Sequence, residues 1–184
     1  MPPPEPIYEI FEPTNNMRET QASQLYRPYY VLLNHLFPPK EGYMVFPQYK
    51  RPAQSMSVDF KNIYTVSHEN GHVVFFLQVK SSQDLSHISS CHEADLEMRE
   101  KFRHVFGAIK IGWLYGACAM GTKIFIYRLH IASRQILPFT IPNNPELATN
   151  TSLFDWNIDI LTPEGQGQLR KLVEYIKEMS TQIG

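Results

Sequence analysis

The hydrophobic and polar residues of this chain recur with two periods, that of strands and that of helices. Apolar positions three or four residues apart predict helices over residues 18–37, 86–106 and after Thr162-Pro163, an N-cap followed by a proline at the first helical position. Short apolar runs predict strands at residues 42–49, 57–67, 72–80, 113–119, 122–129 and 135–141. We therefore expect an α/β fold, with a mixed central β-sheet flanked by helices.

The N-terminal segment differs from the rest of the chain in composition. Residues 1–16 are rich in proline and are predicted to stay extended or disordered, whereas residues 17–184 are predicted to form one domain. A hydrophobic fraction of 43% is sufficient for a globular core. Pro28 is expected to kink the first helix or to start a new one.

Asn70-Gly71 separates two of the predicted strands and is a strong signal for a tight hairpin. A two-residue loop pairs Ile63 with Gln78 and Lys61 with Lys80. Because side chains alternate between the faces of a sheet, Gln78, Lys80 and Asp59 then share one face. A loop of odd length would break this arrangement, because a slip of one residue exchanges the two faces.

These three side chains fit the chemistry of a metal-dependent phosphodiesterase. Mg²⁺ prefers oxygen ligands and is often held by only one or two carboxylates together with phosphate oxygens. Asp59 is a candidate ligand and Gln78 offers an amide oxygen, while Lys80 is suited to orient a water or to stabilise charge on the phosphate. The alternative is structural: Asp59 ends a strand, Gln78 is a satisfied polar residue and Lys80 reaches solvent.

The wider pattern resembles the PD-(D/E)XK nuclease-like superfamily. From about residue 25 onward the chain is most similar to a group of uncharacterised fungal proteins with this domain. They share an EADLEMREKF-like helix, a LYGACAMGTKIFIY-like hairpin and a WNIDIL-like segment, which stand here at Glu93 to Phe102, Leu114 to Tyr127 and Trp156 to Leu161. The resemblance implies a restriction-endonuclease-like core and a Mg²⁺ or Mn²⁺ cofactor.

Carried over to this chain, the resemblance assigns the catalytic roles to Asp59, Gln78 and Lys80, and the metal to Asp59 and Gln78. Gln78 stands where most members have a carboxylate, so one negative charge that would hold the cation is missing. The Mrr group of restriction endonucleases is similar in having Gln-x-Lys, and the departure therefore leaves both an active and a weakened site open. Val58 precedes Asp59 in place of proline.

Other polar residues are secondary candidates. Many members of the superfamily place a glutamate on the first helix, for which Glu19 or the amide Gln24 is available here. On the helix at 86–106, Glu97 or Arg99 is a candidate for substrate contact. The alternative for this charged face, which also carries Lys101, is exposure to solvent.

Composition also limits the partners. The net charge of −1 means that binding to DNA or RNA would require a local basic face. Two cysteines do not form a disulfide framework, no zinc-ligand spacing occurs, and neither a membrane span nor a signal peptide is predicted. We expect a cytoplasmic or nuclear protein.

The sequence supports two alternative functional hypotheses. The first is a metal-dependent nuclease that hydrolyses nucleic-acid phosphodiester bonds, and the second is a weakened or inactive nuclease-fold effector module that binds a protein or a nucleic acid. A homodimer is a third expectation, because the hydrophobic stretch GWLYGACAMG offers a self-complementary surface. Its alternative is a buried central strand.

Overall fold

The computed structural model describes residues 6–15, 21–48, 63–69, 71–108, 112–138 and 157–182. The helices are α1 (Glu12–Asn15), α2 (Ala22–Leu36), α3 (Ile88–Val105) and α4 (Pro163–Thr181). Short 3₁₀ helices occur at Pro6–Phe11, Pro39–Glu41, Ser82–Ser86 and Phe106–Ala108. The strands are β1 (Tyr43–Gln48), β2 (Ile63–His68), β3 (Val73–Lys80), β4 (Trp113–Met120), β5 (Lys123–His130), β6 (Gln135–Leu137) and β7 (Ile158–Asp159).

The strands form one sheet in the order β1-β2-β3-β4-β5-β6, with β7 also pairing with β5. Strands β3 and β4 are parallel, and the other paired strands are antiparallel. Parallel neighbours need a crossover connection, which α3 supplies between β3 and β4. The expected α/β class with a mixed central sheet is therefore confirmed.

From Phe75 onward, the apolar residues of β3 face two separate hydrophobic clusters by turns, as the pleat of a strand requires. Leu77 and its neighbours on that face join a cluster with side chains of α2 and α4, such as Tyr29 and Val173. Phe76 joins the other cluster with Phe102 of α3. Burial of each large apolar side chain contributes about 1.5 to 3 kcal/mol, so both helical layers hold the sheet in place.

The hairpin between β2 and β3 reaches the predicted register by a different route. Three residues separate His68 from His72, and the His68 amide donates to the His72 carbonyl at 3.0 Å. Gly71 adopts a positive φ of 76°, as the left-handed position of a three-residue hairpin loop requires. The register then shifts between Val66 and Ser67. This bulge offsets the odd loop, and Ile63 pairs with Gln78 as predicted.

The structure of the segment before α2 differs from the one predicted for the N-terminus. Residues 6–15 are helical rather than extended or disordered, and Tyr8 and Phe11 are buried. The ring of Phe11 lies edge-on to Tyr29, with 4.9 Å between the ring centroids. The apolar residues of PIYEIF therefore contribute to the core despite the surrounding prolines.

The remaining elements agree with the pattern in most respects. Helix α2 runs through Pro28 as one helix, and Thr162 caps α4 by accepting a hydrogen bond from the Gly165 amide at 3.1 Å. The β4–β5 hairpin is confirmed, and β4 is buried over most of its length at the centre of the sheet. The GWLYGACAMG stretch is thus a buried central strand rather than a dimer surface. No helix in the described part of the chain is long and apolar enough to cross a membrane.

Candidate functional site

Gln78 and Lys80 lie at the end of β3, a central strand with β2 on one side and parallel β4 on the other. Gln78 pairs with Ile63 and with Cys118, and only 3% of its surface is exposed. Lys80 is the last residue of the strand, and its side chain is 17% exposed. Because they are two positions apart, both side chains point toward the face covered by α3.

Glu97 of α3 connects these two residues. The side-chain amide of Gln78 donates a hydrogen bond from Nε2 to Oε2 of Glu97. Nζ of Lys80 lies 3.1 Å from Oε1 and 3.0 Å from Oε2 of the same carboxylate. The structure therefore brings an amide, an ammonium and a carboxylate together at one end of the sheet.

The position of Glu97 follows from how α3 lies on the sheet. Met98 and Phe102 are fully buried against the sheet, and Glu97 is the neighbour of Met98 on the side toward β3. The sequence named Glu97 only as one of two candidates for substrate contact. Helical spacing places Glu97 next to the buried stripe of α3, but the sequence alone does not show which flank of α3 faces β3.

The carbonyl oxygen of the Gln78 side chain has no hydrogen-bond partner among the described residues. An unsatisfied buried acceptor costs about 1 to 3 kcal/mol, so each such atom calls for an explanation. Amide oxygens are ligands for hard cations such as Mg²⁺. The amide nitrogen of Gln78 contacts Glu97, and each of these two side chains carries an oxygen of the type that such a cation prefers.

Within the described ranges, no three His, Cys, Asp or Glu side chains form a group that could hold a metal ion. Gln78 and Glu97 would thus need further ligands, such as water, phosphate oxygens or another carboxylate. Asp59, the principal sequence candidate, and Glu19 both lie outside the described residues. Their predicted roles stay predictions.

Gln24 has a local role at the start of α2. Its side-chain oxygen accepts a hydrogen bond from the Gln21 amide at 2.9 Å. This contact satisfies one of the amide groups that a helix leaves unpaired at its N-terminus.

Arg99 lies on the flank of α3 opposite to Glu97. Its Nε donates to Asp95 at 2.9 Å, and its terminal nitrogens donate to the carbonyls of Pro138 at 2.6 Å and Ile136 at 3.5 Å. Asp95 is completely buried and Arg99 is 6% exposed. These contacts tie α3 to β6, which is separated from β3 by two strands.

The charged face of α3 is less exposed than expected. Lys101 is only 3% exposed, and burial lowers the pKa of its ammonium to about 8. The expectation of a solvated face is therefore wrong for Arg99 and Lys101. Arg99 is covered because it contacts the backbone at Ile136 and Pro138.

No protein-family model, no curated protein and no solved structure matches this chain. A function must therefore be inferred from the residues of this chain, above all from the contacts among Gln78, Lys80 and Glu97.

Proposed function

We propose that this chain is a nuclease-like enzyme that uses Mg²⁺ or Mn²⁺ to hydrolyse phosphodiester bonds in DNA or RNA. The observation that carries the proposal is the convergence of Gln78, Lys80 and Glu97 at the end of β3. The order β3, α3, β4, β5 is the one on which the resemblance to the PD-(D/E)XK superfamily depends. A restriction-endonuclease-like core is part of this proposal.

In this proposal, the carboxylate of Glu97 supplies the negative charge that Gln78, a neutral amide, does not carry. In the proposed site, Asp59, the Gln78 oxygen and the Glu97 carboxylate hold the cation. Two carboxylates and one amide oxygen, with water and phosphate oxygens, are a suitable set for Mg²⁺. The bound cation would supply Lewis-acid activation of the phosphate and of an attacking water.

Lys80 has a separate task in this mechanism. Its ammonium is close to solvent and is held in place by Glu97. When Glu97 turns its charge toward a cation, Lys80 becomes available to donate a hydrogen bond to a phosphate oxygen or to the attacking water. Such a donor stabilises the charge that develops in the transition state.

A second candidate function has its own support. Lys80 already neutralises Glu97, and Gln78 is an amide rather than a carboxylate, so the described site has no excess negative charge to attract a cation. The net charge of −1 also gives little general attraction to nucleic acid. A weakened or inactive nuclease-fold effector module that binds a protein or nucleic acid is the alternative. A cytoplasmic or nuclear location and a homodimer likewise stay proposals.

The two functions are separated by a cleavage assay on single- and double-stranded DNA and RNA with Mg²⁺, Mn²⁺ or a chelator. Wild type is compared with Lys80→Ala and with Lys123→Ala, which removes an exposed lysine of β5. Metal-dependent cleavage that is lost only in Lys80→Ala would support the nuclease. Folded protein that does not cleave would favour the binding module, and cleavage retained by Lys80→Ala would refute the assigned site.

A further inference from the structure

A cavity of about 440 Å³ lies beside α3, on the flank opposite to Glu97. It is bounded by the last turns of α3, by Phe106 and by residues of β5 and β6. Sites for small ligands typically have volumes of about 300 to 1,000 Å³. The cavity is thus large enough for a ligand of a few rings.

The wall combines apolar surface with positive charge. Phe102, Phe106 and Ile136 supply apolar side chains, and Arg99, Arg103 and Arg134 supply three guanidinium groups. None of the described residues that line the cavity is acidic. An anion with an apolar body is complementary to such a wall.

The three arginines differ in how firmly they are held. Arg99 is fixed by Asp95 and by two backbone carbonyls. Arg103 is 65% exposed, and its ion-pair partner among the described residues is Glu100 at the surface, an interaction worth at most about 1 kcal/mol. Arg103 can therefore exchange this partner for an anionic ligand at little cost.

Arg134 is placed over the cavity by an unusual backbone conformation. It has a positive φ of 56° in the turn between β5 and β6, a region that glycine adopts far more readily than residues with a side chain. Its guanidinium carbon lies 4.9 Å from the centroid of the Phe106 ring. Because this conformation is strained for a residue with a side chain, Arg134 and its contact with Phe106 are a candidate for a functional role.

We propose that this cavity binds a nucleoside monophosphate. The planar base would lie against the Phe106–Arg134 pair, and the phosphate would be held by Arg103 and Arg134. Aromatic rings stack on bases, and guanidinium groups bind phosphate through paired hydrogen bonds.

This inference does not depend on the proposed nuclease. The cavity and the Gln78–Lys80–Glu97 cluster use opposite flanks of α3. Nucleotide binding is therefore expected to survive Lys80→Ala, and it can succeed or fail whether or not the protein cleaves nucleic acid.

The test is calorimetric titration with adenosine 5′-monophosphate, with inorganic phosphate and adenosine as its two halves. Wild type should bind the nucleotide more tightly than either half. Arg134→Gly should weaken binding about tenfold, because one charged hydrogen-bonding group is lost. Glycine suits the backbone at this position, so the fold should be kept.

Arg128→Gln is the matched control. Arg128 is an exposed arginine stacked on an aromatic ring, 5.1 Å from the centroid of Trp113, and it lies outside the cavity. Unchanged binding in Arg128→Gln supports the site. The proposal is overturned if the nucleotide does not bind, if phosphate or adenosine alone binds as tightly, or if Arg128→Gln or Lys80→Ala weakens binding as much as Arg134→Gly.

Discussion

Lys80 of β3 and Glu97 of α3 form an ion pair across 17 positions of sequence, with Nζ 3.0 Å from Oε2. The pair joins the end of a central strand to the helix that follows it, and Gln78 donates to the same carboxylate. An ammonium, a carboxylate and a buried amide in contact are groups that can take part in catalysis. Substitution can test this arrangement, because both charged side chains are partly exposed.

Lys80→Ala should abolish cleavage and leave the fold intact. Removal of one donor to the transition-state charge typically lowers kcat about 10² to 10³-fold. The side chains of the ion pair are only 17% and 22% exposed, so Glu97 is left largely covered without its cation and the melting temperature should fall by several degrees while the protein still folds. Cleavage rates and thermal unfolding measure the two effects. A variant that unfolds at ordinary temperature would instead show that Lys80 is structural.

Glu97→Gln should weaken binding of Mn²⁺ by about tenfold or more, because it removes a charged ligand and retains its size. Glu93→Gln is the control, since Glu93 lies one turn earlier on the same helix and is exposed. Calorimetric titration with Mn²⁺ checks the result. Equal affinities in the two variants would exclude Glu97 as a ligand.

The free energy of unfolding of Gln78→Glu should depend on whether Mn²⁺ is bound. The introduced carboxyl group would face Glu97, and repulsion between the two would raise its folded pKa above its unfolded pKa. The folded state then holds more protons, so without metal the variant should lose about 1 to 3 kcal/mol as pH rises from 5 to 8. Mn²⁺ should restore the loss. Urea unfolding with and without Mn²⁺ measures it, and a variant indifferent to both pH and metal would show that the side chains do not converge.

The pairing of Ile63 with Gln78 was predicted from a two-residue loop at Asn70-Gly71. The pairing is right although the predicted loop length is wrong, because three residues separate His68 from His72 and the register shift between Val66 and Ser67 offsets the extra residue. The burial of Phe11 was missed because proline-rich composition outweighed four apolar residues. Composition averages over a segment, whereas burial depends on which side chains meet a neighbour.

The site was predicted only in part for a related reason. Residues of one strand share a face by their numbering alone, so Gln78 and Lys80 could be grouped from the sequence. Glu97 and Arg99 are two positions apart on a helix, which places them on different flanks. Which flank meets β3 and which meets β6 depends on the crossover and the strand order, and no local pattern contains that information.

Arg99→Ala should destabilise the fold by about 3 to 5 kcal/mol, because it leaves the carboxylate of Asp95 buried without its cation. Two backbone carbonyls near β6 would lose their donor as well. Arg103→Ala is the control and should change stability by less than about 0.5 kcal/mol, since its ion pair is at the surface. Urea unfolding checks both, and similar losses in the two variants would contradict the structural role of Arg99.

Lys101→Met should change how stability depends on pH. Burial lowers the folded pKa of Lys101 to about 8, below the value of the unfolded chain. The unfolded state therefore holds more protons between about pH 8 and 10, and this lysine makes stability rise with pH in that interval. Burial also raises the pKa of Cys91 to about 11, which makes stability fall over nearly the same interval.

Because the two residues act in opposite directions, wild type alone should show only a shallow dependence. The difference between Lys101→Met and wild type isolates the lysine. The stability of the variant relative to wild type should fall by about 1 to 3 kcal/mol between pH 7 and pH 9.5, because wild type loses the buried charge over that interval. Denaturant unfolding at the two pH values measures this. A difference that stays constant with pH would mean that Lys101 keeps an ordinary pKa in the folded protein.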